Sequence, residues 1–211
     1  TKRVETKVTT LTAAAGVGVF INQNGNVNLV AAIGGTVLLK ATHGDVTLGT
    51  VNAGLGDVTL EADDGGLVAS TTVLHSITGG TTVLKASKAV GADRNRLATK
   101  SISLNANGSD GVFINQNGNV NVVSAVGEHV NIGVDGDVDV TGPITAVRSV
   151  DLTSRALGGT AALGTITGVG VITGPTGVDV AASGVIGGAS NLRVSSPATV
   201  TARSGGRLGL Q

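Results

Sequence analysis

The chain has 211 residues, with 14 Lys and Arg against 14 Asp and Glu, so its formal net charge is zero. That balance removes the phosphate-driven attraction on which nucleic-acid binding rests, and the absence of Cys excludes disulfides, thiolate metal sites and thiol catalysis. Met, Trp and Tyr are also absent and Phe occurs only at Phe20 and Phe113, so Val, Leu, Ile and Ala must fill a thin interior, one side chain deep from each wall.

Alternating apolar and polar residues mark short strands in quick succession. The first block gives 7–11, 17–21, 26–30, 36–40, 45–48, 57–61, 67–70, 81–85 and 101–105. The second gives 112–114, 119–123, 129–132, 137–140 and 149–152, and the tail 165–166, 170–172, 177–180, 191–194, 199–202 and 207–210. Gly-Asp, Gly-Gly, Asn-Gly and Pro-Gly turns separate them, and no stretch has helical period beyond a turn. Pro143, Pro175 and Pro197 mark corners, because Pro cannot donate to a ladder. The stretch 85–100 breaks the rhythm with Lys85, Lys88, Arg94, Arg96 and Lys100 against one Asp93, and reads as a basic loop bulging from the body. The uncharged stretch 156–178 is long enough to span a membrane. It is rich in Gly and Thr and contains Pro175, poor material for a helix, so it reads as strands and no membrane span is expected.

The strands echo one another. GDVTL at 44–48 returns at 56–60 and loosely at 136–140, and GTVLLKA at 35–41 returns as GTTVLKA at 80–86. GVFINQNGNVN occurs twice without change, at 18–28 and 111–121, 93 residues apart. Each copy reads as a strand, a turn at Gln23–Gly25 and another strand. A period of about 20 residues with two or three strands per period describes a parallel β-helix. The expectation is one all-β solenoid over 1–211, of about ten coils and roughly 50 Å long at about 4.8 Å per coil. Val27, Leu29, Val37, Leu39, Val46, Leu48, Val58, Leu60, Val120, Val122, Val130, Ile132, Val138 and Val140 should point inward. A β-sandwich is the alternative, disfavoured by the regular turn spacing and the lack of Trp and Tyr.

At GVFINQNGNVNLVAA and GDVTLGTVNAGLGDVTLEADDG the sequence resembles filamentous-haemagglutinin-type exoproteins, the long bacterial surface proteins built of degenerate β-strand repeats. FINQNG is also similar to the INPNG motif of their secretion domains, but Gln23 and Gln116 stand where that motif has Pro, and the secretion role is not carried over. The resemblance implies a right-handed parallel β-helix, a secreted or cell-surface bacterial location, and adhesion or scaffolding.

Few residues suggest chemistry. Asp135, Asp137 and Asp139 alternate and could together present carboxylates to calcium, the one cofactor candidate; an outward polar stripe that keeps the rod in solution is the competing reading. Asp63 and Asp64 weakly suggest a calcium turn or the paired acids of a glycosidase, and read better as a turn. His43, His75 and His129 have no recurring spacing and read as surface residues. Asn22, Asn24, Asn26 and Asn28, with Asn115, Asn117, Asn119 and Asn121, could form hydrogen-bonded ladders between coils. Strict alternation turns Phe20 and Phe113 outward as contact points for another chain, unless a bend at Gly18 turns the ring inward. The contact candidates are therefore Phe20, Phe113, Lys85, Lys88, Arg94, Arg96 and Lys100.

The expected function is non-enzymatic: a structural or adhesive segment that partners itself end to end or side by side, the remainder of a longer chain, or surface glycans. A carbohydrate-active β-helix enzyme and an ice-binding solenoid are the alternatives.

Overall fold

The computed structural model describes residues 2–72, 75–155, 163–189 and 191–211, and among these it contains strands and turns but no helix. The first half comprises β1 (Val4–Thr6), β2 (Thr10–Ala14), β3 (Val19–Gln23), β4 (Val27–Ile33), β5 (Val37–Ala41), β6 (Val46–Asn52), β7 (Val58–Ala62), β8 (Leu67–Ala69), β9 (Ser76–Ala86) and β10 (Ala89–Val90). The second half comprises β11 (Leu97–Gly108), β12 (Gly111–Asn117), β13 (Val120–Asp135), β14 (Val138–Val140), β15 (Ile144–Arg155), β16 (Ile166–Gly168), β17 (Val171–Thr173), β18 (Gly177–Ala182), β19 (Arg193–Ser195) and β20 (Thr199–Ser204). All pairings between these strands are parallel. The result is a β-solenoid of about 9 turns whose stacked strands lie roughly 21 residues apart.

Side-chain alternation builds the core. β3, β5 and β7 each run buried, half-buried, buried, half-buried, buried, so every second residue enters the interior and stacks on its equivalent one coil away. All fourteen residues expected to point inward are buried. Neither Phe is among the buried residues, and Val, Leu, Ile and Ala make up the apolar interior of the described residues. The three prolines lie outside the strands. β13 joins two expected strands into one of 16 residues, without a turn between them. The uncharged stretch is described from Leu163 onward, where it forms β16, β17 and the start of β18; its residues 156–162 lie outside the described residues.

The identical copies occupy different walls. Val19 belongs to the column Val19–Val37–Val58–Thr82–Leu104, whereas Val112 belongs to the column Val27–Val46–Leu67–Val90–Val112, which continues through Val130 to Val200. A spacing of 93 residues is not a whole number of turns at roughly 21 residues each. The Asn residues of the two copies therefore never stack, and the expected Asn ladders are absent. Asn22 instead faces Glu5 and Lys40 in register, and Asn121 faces Ser103 and Asp139.

What the copies share is a corner. The expected turn at Gln23–Gly25 is shorter by one residue, because Gln23 and Gln116 are core, 1% and 2% exposed. Gln116 Oε1 accepts from Thr99 Oγ1 at 2.7 Å and from Ser101 N–H at 3.2 Å, and its Nε2 donates to Ser101 O at 2.8 Å. Gln23 repeats this with Thr6 Oγ1 at 2.6 Å, Val8 N–H at 3.5 Å and Val8 O at 2.8 Å. The side-chain amide has one acceptor and a donor group, like a peptide unit, and carries the ladder around a corner that the main chain leaves.

A second corner device explains the Gly-Asp motifs at 44–45 and 136–137. Asn26 Oδ1 accepts Asp45 N–H and Asp45 Oδ1 accepts Gly66 N–H, both at 2.8 Å. Asn119, Asp137 and Thr165 repeat the relay at 2.8 and 2.9 Å. Gly44 and Gly136 precede these Asp residues at φ of +129° and +147°. A Cβ at Gly44 would fall 2.1 Å from Asn26 Oδ1, so both backbone and space require glycine.

On the outer face of the first wall, Asn22, Lys40, Glu61, Lys85 and Asn107 stand in register. Opposite charges alternate there: Lys40 Nζ lies 2.9 Å from Asp63 and 4.0 Å from Glu61, and Lys85 Nζ lies 3.4 Å from Glu61. The Lys40 pKa is raised, first by its hydrogen bond to Asp63 and then by the Asp63 and Glu61 charges, against opposing desolvation and the Arg3 charge. A raised folded-state pKa gives stability that is fully present below the unfolded value of about 10.4 and is lost as pH rises through the folded value. We expect Asp63→Asn to flatten the alkaline fall of Tm above that pH; an unchanged alkaline limb would contradict this assignment.

Candidate functional site

The residues expected to carry function do not converge. Asp135, Asp137 and Asp139 are all exposed, as alternation requires, but among the described residues no group of three or more His, Asp or Glu is gathered to hold a metal ion. Asp137 spends Oδ1 on Thr165, accepting from both its N–H and its hydroxyl at 2.9 Å. Asp63 pairs with Lys40, and Asp64 Oδ2 lies 2.7 Å from His43 Nδ1. His75 bonds Arg96 O at 3.0 Å and His129 bonds Ser149 Oγ at 2.9 Å, each with a residue about one turn later.

Half of the basic stretch is strand, so the expected loop is confined to part of it. Lys85 ends on β9, Ala89 and Val90 form β10, and β11 starts at Leu97. Ser87 and Lys88 form a bend between β9 and β10, and 91–96 forms a loop closed by an antiparallel bridge between Ala92 and Asn95. The five cations are spread around one coil and make no single patch. Lys85 pairs with Glu61, Lys88 with Asp45 at 3.8 Å and Arg96 with Asp93 at 3.7 Å. Arg94 and Lys100 make no ion pair among the described residues.

Both Phe rings lie on the outside, half-buried, folded over the glycine two residues earlier. A Cβ at Gly18 or Gly111 would fall 2.7 Å from the ring of Phe20 or Phe113. The inward alternative therefore does not hold. Being on different walls, the two rings do not form one contact line. Their neighbours differ too: Phe20 stands beside Leu38, and Phe113 beside Asn131.

That difference locates the strongest candidate site. On the second-half wall, outward residues stack in register as Phe113–Asn131–Asp151–Asp179–Thr201, flanked by Gly111–His129–Ser149–Gly177–Thr199. The 91–96 loop borders this wall, and Arg96 reaches over Gly133. Beneath the loop lies a cavity of about 330 Å³ lined by Asp93, Phe113, His129, Val130, Asn131, Ser149 and Asp151. A second cavity, of about 270 Å³, continues along the wall and shares Ser149 and Asp151. Asp151 Oδ1 accepts from Thr153 Oγ1 at 3.1 Å. Asp179 Oδ2 holds Arg203 at 2.7 Å, while its Oδ1 is buried with no hydrogen-bond partner among the described residues.

Chemically this is a shallow groove offering one ring, one amide, one imidazole, hydroxyls and carboxylates. His129 touches Ser149, yet no carboxylate orients the imidazole among the described residues, so the third member of a nucleophilic arrangement is missing. Sequence reasoning reached Phe113 and Arg96 but missed Asp93, Asn131, Ser149, Asp151 and Asp179, and left His129 isolated. The missing signal was register: residues about 20 apart become neighbours only once the turn length is known. No family model matches the sequence, and comparison with curated proteins and with solved structures finds no match.

Proposed function

We propose that this chain is a non-enzymatic structural segment, a shaft or wall unit that extends by adding further coils and meets other surfaces along its sides. The observation that carries the reading is the coil-on-coil stack itself, in which each inner coil pairs in parallel with the coil on either side, so that the strand edges that join coils within the chain are of the kind that can join one chain to the next. Val4 is 63% exposed although it stands in register with buried Ile21. At the other end Val200 and Leu208 are 41% and 50% exposed, in register with buried Val178 and Ile186. Strand edges of this kind template pairing wherever no further coil of the same chain covers them. The neutral net charge leaves no long-range repulsion between copies. A secreted or cell-surface location in a bacterium is supported by the resemblance of the GVFINQNG and GDVTL elements to filamentous-haemagglutinin-type exoproteins.

The test is sedimentation velocity of the 211-residue chain over a range of concentrations. End-to-end growth is expected, and Val4→Lys together with Val200→Lys is expected to abolish it. A monomer at all concentrations, with slow amide exchange in both end coils, would overturn the reading. Association that ignores the two Lys substitutions would show side-by-side contact instead, which also overturns end-to-end growth.

A further inference from the structure

We infer that the groove bordered by the 91–96 loop binds a neutral oligosaccharide, with the Phe113 ring as its stacking platform. The inference concerns a side wall and stands apart from the end-to-end reading. Its basis is the contrast between two identical eleven-residue copies. Both fold a Phe ring over a glycine on the outer face, but Phe20 has apolar Leu38 beside it, whereas Phe113 opens onto Asn131, Asp151 and His129 in a cavity of about 330 Å³. The same local sequence thus stands beside an apolar neighbour in one place and on a concave, mixed surface in the other.

The groove has the chemistry of sugar recognition. A ring face packs against the C–H surface of a pyranose. The Asn131 amide can donate and accept, and the Asp151 carboxylate can accept from two hydroxyls. Charge selects the class of sugar. Asp93 is paired with Arg96 and Asp179 with Arg203, leaving Asp151 as the carboxylate without a cation among the described residues. A sulfated or carboxylated glycan would meet that charge unfavourably, whereas a neutral hexose chain would not.

The two Phe residues make the experiment self-controlled. Aromatic proton–carbon NMR spectra of the full chain contain two ring systems, Phe20 and Phe113, assigned with Phe20→Leu and Phe113→Leu. Cellohexaose, maltohexaose and β-1,4-mannohexaose serve as neutral probes, and a heparin hexasaccharide as the anionic one. The expected result is a saturable shift of Phe113 with at least one neutral probe, no shift of Phe20, and no response to the heparin fragment. Phe113→Leu keeps cover over Gly111 and should abolish binding, and Asn131→Ala should weaken it about tenfold, with backbone spectra otherwise unchanged. No Phe113 shift with any of the three neutral probes would overturn the inference. Equal shifts of both rings would reduce it to nonspecific contact, and a stronger response to heparin would refute the charge argument.

Discussion

Gly56→Ala is expected to cost about 3 kcal/mol, at the upper end of what overpacking does. A Cβ at Gly56 would fall 1.6 Å from Gly35 O, a contact with backbone that no rotamer change relieves. The residue is held from both sides: its N–H donates to Ala53 O at 2.9 Å, and its carbonyl accepts from Gly80 N–H at 2.8 Å. The extra methyl must therefore separate successive coils at this corner. Because the stability of a stacked array is a sum over neighbouring units, the damage should be local. Amide exchange should accelerate first in β5 and β7 and remain slow in β15 and β18. Gly16→Ala is the matched control, since a Cβ there meets nothing within 4 Å. A Gly56→Ala chain as stable as the Gly16→Ala chain would show that the corner is looser than described.

The second large effect is expected at Gln116. Gln116→Leu fills the same space but strips partners from the Thr99 hydroxyl and from the N–H and carbonyl of Ser101, at residues 2% and 3% exposed. Each buried polar group left unsatisfied costs about 1–3 kcal/mol, so a loss of roughly 3 kcal/mol or more is expected by denaturant unfolding. Gln23→Leu removes the equivalent bonds at the N-terminal end, where Val8 is 40% exposed and water can replace the amide. Its cost should be less than half as large. Equal costs at the two sites would mean that the amide serves only as filler.

The fold was legible because its cause is periodic. Alternation at Val37–Leu39 and Val58–Leu60 specifies which face is buried, and the 19 residues from Val27 to Val46 and 21 from Val37 to Val58 specify a turn length close to the roughly 21 observed. The corners were not legible. Glutamine after FIN looks like turn material, and only stacking on Ser101 shows that its amide replaces a peptide group. The 85–100 stretch misled because charge was read as loop, whereas outward positions of a strand carry Lys85 and Lys100 without disturbing the ladder. The groove was the least legible feature. Phe113, Asn131 and Asp151 are separated by one coil each, and unequal coil lengths, such as the 28 residues from Val150 to Val178, hide which residues align.

Straight parallel columns define the solenoid, and the chain's lack of Cys allows these to be measured with pairs of engineered, spin-labelled cysteines. Thr47, Asn131, Asp151 and Thr201 are outward residues of the wall that contains the Val27–Val112 and Val112–Val200 columns. At about 4.8 Å per coil, the pairs 47/131, 47/151 and 47/201 should give dipolar distances of about 19, 24 and 34 Å, rising by one coil spacing for each intervening turn. Distances that do not increase in that order, or that cluster at one value as in a sandwich of antiparallel strands, would contradict the solenoid and everything built on its register.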